Sequence, residues 1–149
     1  VASIHQTGSD RPARYRLLPS EPNRSMSRLF IIAGALAAGI AVVAGAFGAH
    51  GLEGRVTAGR LETFKTGVTY QMYHALALLF VGWAAFQGAS GPVTWAGYAF
   101  IVGIVIFSGS LYLLVLTDTG WLGAITPIGG VAFIVGWLLL AYGMIDPGW

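Results

Sequence analysis

The run LFIIAGALAAGIAVVAGAFGA, Leu29 to Ala49, holds 21 residues without one charged side chain. At about 1.5 Å of rise per residue, a helix of that length covers about 30 Å, the thickness of a bilayer's hydrocarbon core. Lipid offers no partner to backbone N–H and C=O groups, so such a run satisfies them within itself, as a helix. Ala44-Gly45-Ala46 resembles a signal cleavage site, but the run exceeds the about 7–15 apolar residues of a signal peptide. It reads as the first of four membrane helices. Within it Ala33, Ala37, Ala41, Gly45 and Ala49 recur at every fourth position, a ridge of small side chains that lets a second helix approach closely.

Downstream, Leu52, Val56, Leu61, Phe64 and Val68 fall at near-helical intervals among Glu53, Arg55, Arg60, Glu62 and Lys65. Residues 50–66 therefore read as a short amphipathic helix lying in the interface, with a polar loop as the alternative. A second membrane helix is expected over about 67–88, ended by Gly88-Ala89-Ser90-Gly91-Pro92, because Gly and Pro punctuate chains. A third covers about 93–116 and closes at Thr117-Asp118-Thr119-Gly120; a fourth covers about 125–145 and stops at Asp146-Pro147-Gly148. Short connections make these neighbours antiparallel. Upstream, residues 1–25 carry Arg11, Arg14, Arg16 and Arg24, three prolines and few apolar residues, a composition that cannot bury enough surface to fold alone. Met26-Ser27-Arg28 looks like an ordinary start, so residues 1–25 read as an extension, bound to a partner or extended, on a four-helix domain of 26–149, with the native start processed or missing. The expected fold is an all-α membrane protein: a four-transmembrane-helix bundle with a disorder-prone N-terminal tail and a short interfacial helix between helices one and two.

Composition agrees. Hydrophobic residues make up 56% of the chain and charged residues 9%, too few to cover the surface of a water-soluble domain, where about a quarter is usual. Zero cysteines exclude disulfides and thiolate metal sites. All eight Lys and Arg lie at or before Lys65. Nucleic acid is a poor partner, because the aromatics sit in apolar segments rather than among the bases. Arg11, Arg14, Arg16, Arg24 and Arg28 flank the first helix on one side, against Arg55, Arg60 and Lys65 on the other. Excess bases stay cytoplasmic, which puts the N-terminus there, although near the helix ends the balance is two against three.

Four antiparallel helices bring the end of helix one, the start of two, the end of three and the start of four to one membrane face. The interior polar residues gather at that end: His50, Arg55, Tyr70, Gln71, His74, Ser108, Ser110, Tyr112 and Thr126. Trp83, Trp95, Tyr98, Tyr142 and Trp149 form an aromatic belt at the other. His74 is expected one or two turns into helix two, on the same face as His50. An ionisable group at membrane depth marks a functional site by default. Two imidazoles could pass protons or bind a ligand, a metal or haem; the structural reading has His50 capping helix one and His74 bonding a neighbouring helix. Gln71, Ser108, Ser110 and Thr126 read as interhelical hydrogen bonds of about 0.6 kcal/mol each. Glu53 and Glu62 read as paired with, or solvated among, Arg55, Arg60 and Lys65. No nucleophile–base pair and no phosphate-binding pattern occurs, so neither an enzyme nor a cofactor is expected.

Gly45-Ala46-Phe47-Gly48-Ala49-His50-Gly51, Tyr70-Gln71 with His74, Phe107-Ser108-Gly109-Ser110-Leu111-Tyr112, Pro127-Ile128-Gly129-Gly130 and Gly136-Trp137 together resemble domain-of-unknown-function family 423, which includes the eukaryotic transmembrane protein 256. The resemblance covers Met26 to the C-terminal region. It implies a small multi-span protein of about four helices, in bacteria a cytoplasmic-membrane protein, and it supplies no activity.

The leading functional expectation is an accessory or scaffolding subunit among other membrane proteins, in a larger complex or a homo-oligomer, surrounded by membrane lipids. A small transporter or channel is the alternative, weakened by the lack of an acid or base mid-membrane. A lipid or quinone site formed by His50, Arg55, Tyr70 and His74 is a third.

Overall fold

A computed structural model describes residues 24–89 and 91–145, and among them every regular element is a helix. Helix α1, Arg24–Phe47, runs into a wide π turn, Gly48–Leu52. It begins at Arg24 rather than Leu29, so the last two residues of the expected tail are its first turn. The rest of that tail, the stop at Asp146-Pro147-Gly148 and the belt residue Trp149 lie outside the described residues.

Helix α2 is continuous from Ala58 to Phe86. The expected interfacial helix is therefore a correction: residues 58–66 are the opening turns of α2, not a separate element. Thr57 starts it in extended conformation, its Oγ1 accepting from the Arg60 amide at 3.3 Å, as an N-cap does. The apolar side of these turns faces protein instead of lipid. Phe64 is buried with Leu52, Leu114 and Val115, and its ring lies 4.8 Å from Tyr112. Gly67 does not break the helix, because a methyl there would lie 2.9 Å from the Tyr112 ring; tertiary packing overrides propensity.

Helix α3, Pro92–Thr117, contains a second π turn at Ile104–Ser108 and closes on Asp118 in left-handed conformation, φ 54°. A 3₁₀ turn, Gly120–Ala124, leads to α4, Thr126–Ile145. The spans Arg24–Leu52, Pro92–Thr117 and Gly120–Ile145 are each long and apolar enough to cross a membrane. Helix α2 does not stand with them, since it carries Arg60, Glu62, Lys65, Gln71 and His74.

The helices pack in chain order: α1 along α2, α2 against α3, and α3 along α4. Close contact comes from glycine. Between α1 and α2, a methyl on Gly34 would meet the Ala75 carbonyl oxygen at 2.8 Å, and one on Gly82 the Ser27 carbonyl at 3.1 Å. Ser27 Oγ donates back to the Gly82 carbonyl at 2.8 Å. The contact line of α1 is Ser27, Phe30, Gly34, Ala41 and Gly48, with steps of three and four and then of seven. The expected ridge shares only Ala41 with it; Ala33, Ala37, Gly45 and Ala49 are half-buried on its flank. Helices crossing at a small angle stay in register on a 3.5-residue repeat, and a strict four-residue ridge drifts off that line.

Between α3 and α4 the device is a ring in a notch. The Phe100 ring fills the space over Gly136 and the Phe133 ring that over Gly103, while at Gly129 the backbone of Phe107 itself comes close. The Phe30 ring of α1 fills the space over Gly97. These phenylalanines join Leu78, Val81, Val93 and Leu140 in the central core.

At one end, Arg60 Nη2 meets Asp118 Oδ1 at 2.6 Å and Nη1 donates to the Leu114 carbonyl at 3.3 Å. Arg60 thus ties the start of α2 to the C-terminus of α3 rather than pairing with Glu53 or Glu62, because a helix end offers it free carbonyls as well as a carboxylate.

Candidate functional site

Because α2 begins at Ala58, His74 lies 16 residues along it, about 24 Å from its start. His74 is thus near the middle of a 29-residue helix, not one or two turns in, and this corrects its expected position. His50 is exposed on the π turn that ends α1, and Arg55 is exposed in the following loop; among the described residues neither bonds to His74. Of the nine polar residues named as candidates, His50 and Arg55 stand apart, and the others except Ser108 make several separate contacts.

One is a clamp across three helices. Gln71 Nε2 donates to the Ala37 carbonyl of α1 at 2.8 Å, and the Tyr112 hydroxyl of α3 donates to Gln71 Oε1 at 3.0 Å. Another joins α3 to α4: Ser110 Oγ and Thr126 Oγ1 are 2.8 Å apart, with Ser110 also donating to the Phe107 carbonyl at 2.9 Å. Ser108 departs from the expected interhelical bond. Its hydroxyl is fully buried and has no partner among the described residues. A helical serine ordinarily bonds the carbonyl four residues back. Here the π turn gives that carbonyl, Ile104 C=O, to the Gly109 amide.

His74 sits among aromatic rings. Its Nε2 accepts from the Trp137 indole N–H of α4 at 3.1 Å. That leaves Nδ1 as the protonated nitrogen, donating to the Tyr70 carbonyl at 2.7 Å. The ring is the neutral tautomer with both nitrogens engaged, which removes it as a metal or haem ligand in this arrangement. It stacks on Phe133 at 3.4 Å and 7°, with Phe100 tilted at 5.5 Å. Tyr70 lies nearly parallel to Phe107, centroids 4.8 Å apart. Tyr70, Tyr73, His74, Phe107, Phe133 and Trp137 line a groove of about 630 Å³ between α2 and α4. It is open on the outer face of the helices, and no charged residue lines it.

Residue-by-residue reading found Tyr70 and His74 but missed Phe107, Phe133 and Trp137 as the groove's walls. A signal was present: Gly129, Phe133, Gly136, Leu140 and Gly143 alternate by four and three, the spacing of a seam facing another helix. Two of the groove's rings come from the turns that seam sets.

A family model described as "Protein of unknown function (DUF423)" matches residues 44–130, which spans α2, α3 and both π turns. The UPF0382 membrane protein YwdK of Bacillus subtilis is 53% identical over 114 residues, 76% of this chain and 93% of that protein. A UPF0382 membrane protein of Staphylococcus saprophyticus is 54% identical over 117 residues, 78% of this chain and 96% of its own. One of Staphylococcus epidermidis is 54% identical over 113 residues, 76% and 92% of the respective chains. No solved structure matches the chain. With three helices of membrane-spanning length, and relatives of this identity along nearly their whole length, the chain is an integral membrane protein and belongs to the DUF423 family of unknown function.

Proposed function

We propose that the chain crosses the bacterial cytoplasmic membrane four times, N-terminus inside, and serves as an accessory or scaffolding subunit that packs against other membrane proteins. The fourth crossing is α2. Between Lys65 and Gln87 it carries no Asp, Glu, Lys or Arg over 21 residues, about 31 Å of helix. Its hydropathy falls short because of Gln71 and His74, and both are buried against other helices, so lipid does not meet them. A hydropathy sum counts each residue as though it did.

The observation that carries the structural role is the pairing of the polar interior. Gln71, Tyr112, Ser110, Thr126 and His74 bond to one another, to backbone or to Trp137. Ion- and proton-coupled transporters mark their path with ionisable groups inside the membrane. Here the mid-helix imidazole is committed at both nitrogens. The apolar outer faces of α1 and α4, with Leu36, Ile40, Val43, Ile134 and Leu138 exposed, remain for lipid or for other membrane proteins.

Reporter fusions test the span count. With four crossings a fusion within residues 53–57 reports the side opposite to one after Ile145; both on the same side means that α2 does not cross. The scaffolding role is tested by isolating the tagged full chain from its native membrane in mild detergent. Stoichiometric membrane-protein partners are expected, and a monomer carrying only lipid overturns the role.

A further inference from the structure

We propose that the groove between α2 and α4 binds the ring of an uncharged, lipid-soluble quinone. The proposal is independent of the scaffolding role but rests on α2 crossing the membrane, as proposed above. Its wall is aromatic, with rings stacked in pairs: His74 on Phe133 at 7° and Tyr70 on Phe107 at 29°, while Tyr73 and Trp137 tilt by 54° and 57° from Tyr70 and His74. Aromatic walls favour another planar ring, by offset stacking or edge-to-face contact worth about 0.5–1.5 kcal/mol beyond the area buried. A flexible acyl chain gains only the area it buries.

The groove also carries donors without acceptors. The phenol groups of Tyr70 and Tyr73 have no hydrogen-bond partner among the described residues, although the side chains are 42% and 59% exposed at the groove. They sit about 7 and 12 Å along α2 from Lys65, where water is scarce and an unmet polar group is costly. Indole N–H of Trp137 and both nitrogens of His74 are already bonded, so these two phenols are the free donors of the lining. A ligand must therefore offer acceptor oxygens. It must also be neutral, since no charged residue lines the groove. Its ring must be planar, and it must reach the site from within the bilayer. A quinone head group meets all four conditions, and the volume of about 630 Å³ lies in the range of small-molecule sites, about 300–1,000 Å³. The sequence-level candidates His50 and Arg55 have no part in this site.

The test uses the full chain in nanodiscs, titrated with decylubiquinone and followed by quenching of tryptophan fluorescence, with Trp137 in the groove wall as reporter. A saturable component is expected above the linear quenching due to partition into lipid. Tyr70→Phe and Tyr73→Phe keep the rings and remove the donors, and each should weaken binding by about three- to ten-fold, the loss of one neutral hydrogen bond. Tyr142→Phe, an exposed tyrosine outside the groove, should leave binding unchanged. Gly130→Ile supplies a second route that spares the phenols. A methyl at Gly130 lies at ordinary contact distance, 3.9 Å from Phe107, so the larger side chain projects into the groove and should abolish the saturable component. Linear quenching alone in the unaltered chain overturns the proposal. So does equal affinity in both phenylalanine variants, or a tightly held phospholipid, seen by native mass spectrometry, that decylubiquinone does not displace.

Discussion

The seam between α1 and α2 and the seam between α3 and α4 hold two helices together in different ways. In the first, backbones approach at Gly34 and Gly82, and side chains bond the exposed carbonyls: Ser27 to Gly82 and Gln71 to Ala37. In the second, Phe100 and Phe133 seat in the notches of Gly136 and Gly103, the backbones approach at Gly129 and Phe107, and the polar contact, Ser110 with Thr126, lies toward one end. Lipid tails are as apolar as leucine, so burial against lipid supplies little drive to either seam. What remains is van der Waals fit and hydrogen bonding, and the two seams weight these differently. Both have close backbones; the first adds polar bonds, the second adds rings seated in notches.

The largest effect should come from filling a notch. Gly136→Leu puts a Cβ 2.6 Å from the ring of Phe100, itself fully buried. Overpacking costs about 1–3 kcal/mol and more where neighbours cannot yield, so thermal stability in detergent should fall sharply. Adding Phe100→Ala returns the volume, and the double variant should recover part of the loss. Additive losses would mean that the pair does not act as knob and notch. Gly129→Leu should be worse and beyond rescue by trimming the ring, because its Cβ would meet the Phe107 Cα at 2.8 Å.

A second comparison lies within α1 and tests where its contact line runs. Ala41→Leu and Gly45→Leu are equivalent if every fourth residue faces α2. In the structure Ala41 is buried, whereas a methyl at Gly45 would rest 3.5 Å from Val68 Cγ1, ordinary contact. Ala41→Leu should therefore destabilise by about 1–3 kcal/mol, and Gly45→Leu by a fraction of that. Equal losses, read from thermal unfolding in the same detergent, would restore the four-residue ridge.

These contrasts mark what the sequence revealed. An uncharged run as long as Leu29–Ala49 has one physical solution in a bilayer, so the all-helical membrane character was legible from length and charge. The start of α2 was not, because Leu61, Phe64 and Val68 give the same period whether they face lipid headgroups or Leu52, Leu114 and Val115. From that one boundary followed the depth of His74 and the grouping of polar residues at one end. The π turn at Ile104–Ser108 was hidden for a related reason: nothing in Ile-Val-Ile-Phe-Ser distinguishes a four-residue from a five-residue hydrogen-bond step, so the orphaned Ser108 hydroxyl could not be foreseen. The aromatic groove needed α2 and α4 to meet across α3, which no local pattern encodes.

The smallest effects should separate the seams by their polar bonds. Gln71→Leu preserves bulk while removing the bond to Ala37 and stranding the Tyr112 hydroxyl. At about 0.6 kcal/mol for a membrane hydrogen bond, with a further cost for the stranded donor, it should destabilise by about 1–2 kcal/mol. Ser110→Ala removes one partner of the Thr126 contact, but Thr126 Oγ1 keeps the Leu122 carbonyl at 3.4 Å, so the loss should be about 0.6 kcal/mol or less. The order matters more than the sizes. If Ser110→Ala proves as costly as Gln71→Leu in matched unfolding measurements, the α3–α4 seam is held by hydrogen bonding as much as the α1–α2 seam is. The phenylalanine notches would then be a consequence of close packing rather than its cause. If the order holds, rescue of Gly136→Leu by Phe100→Ala and the weak response of Ser110→Ala point to the same thing: the α3–α4 seam is held mainly by fit, the α1–α2 seam by fit and bonding together.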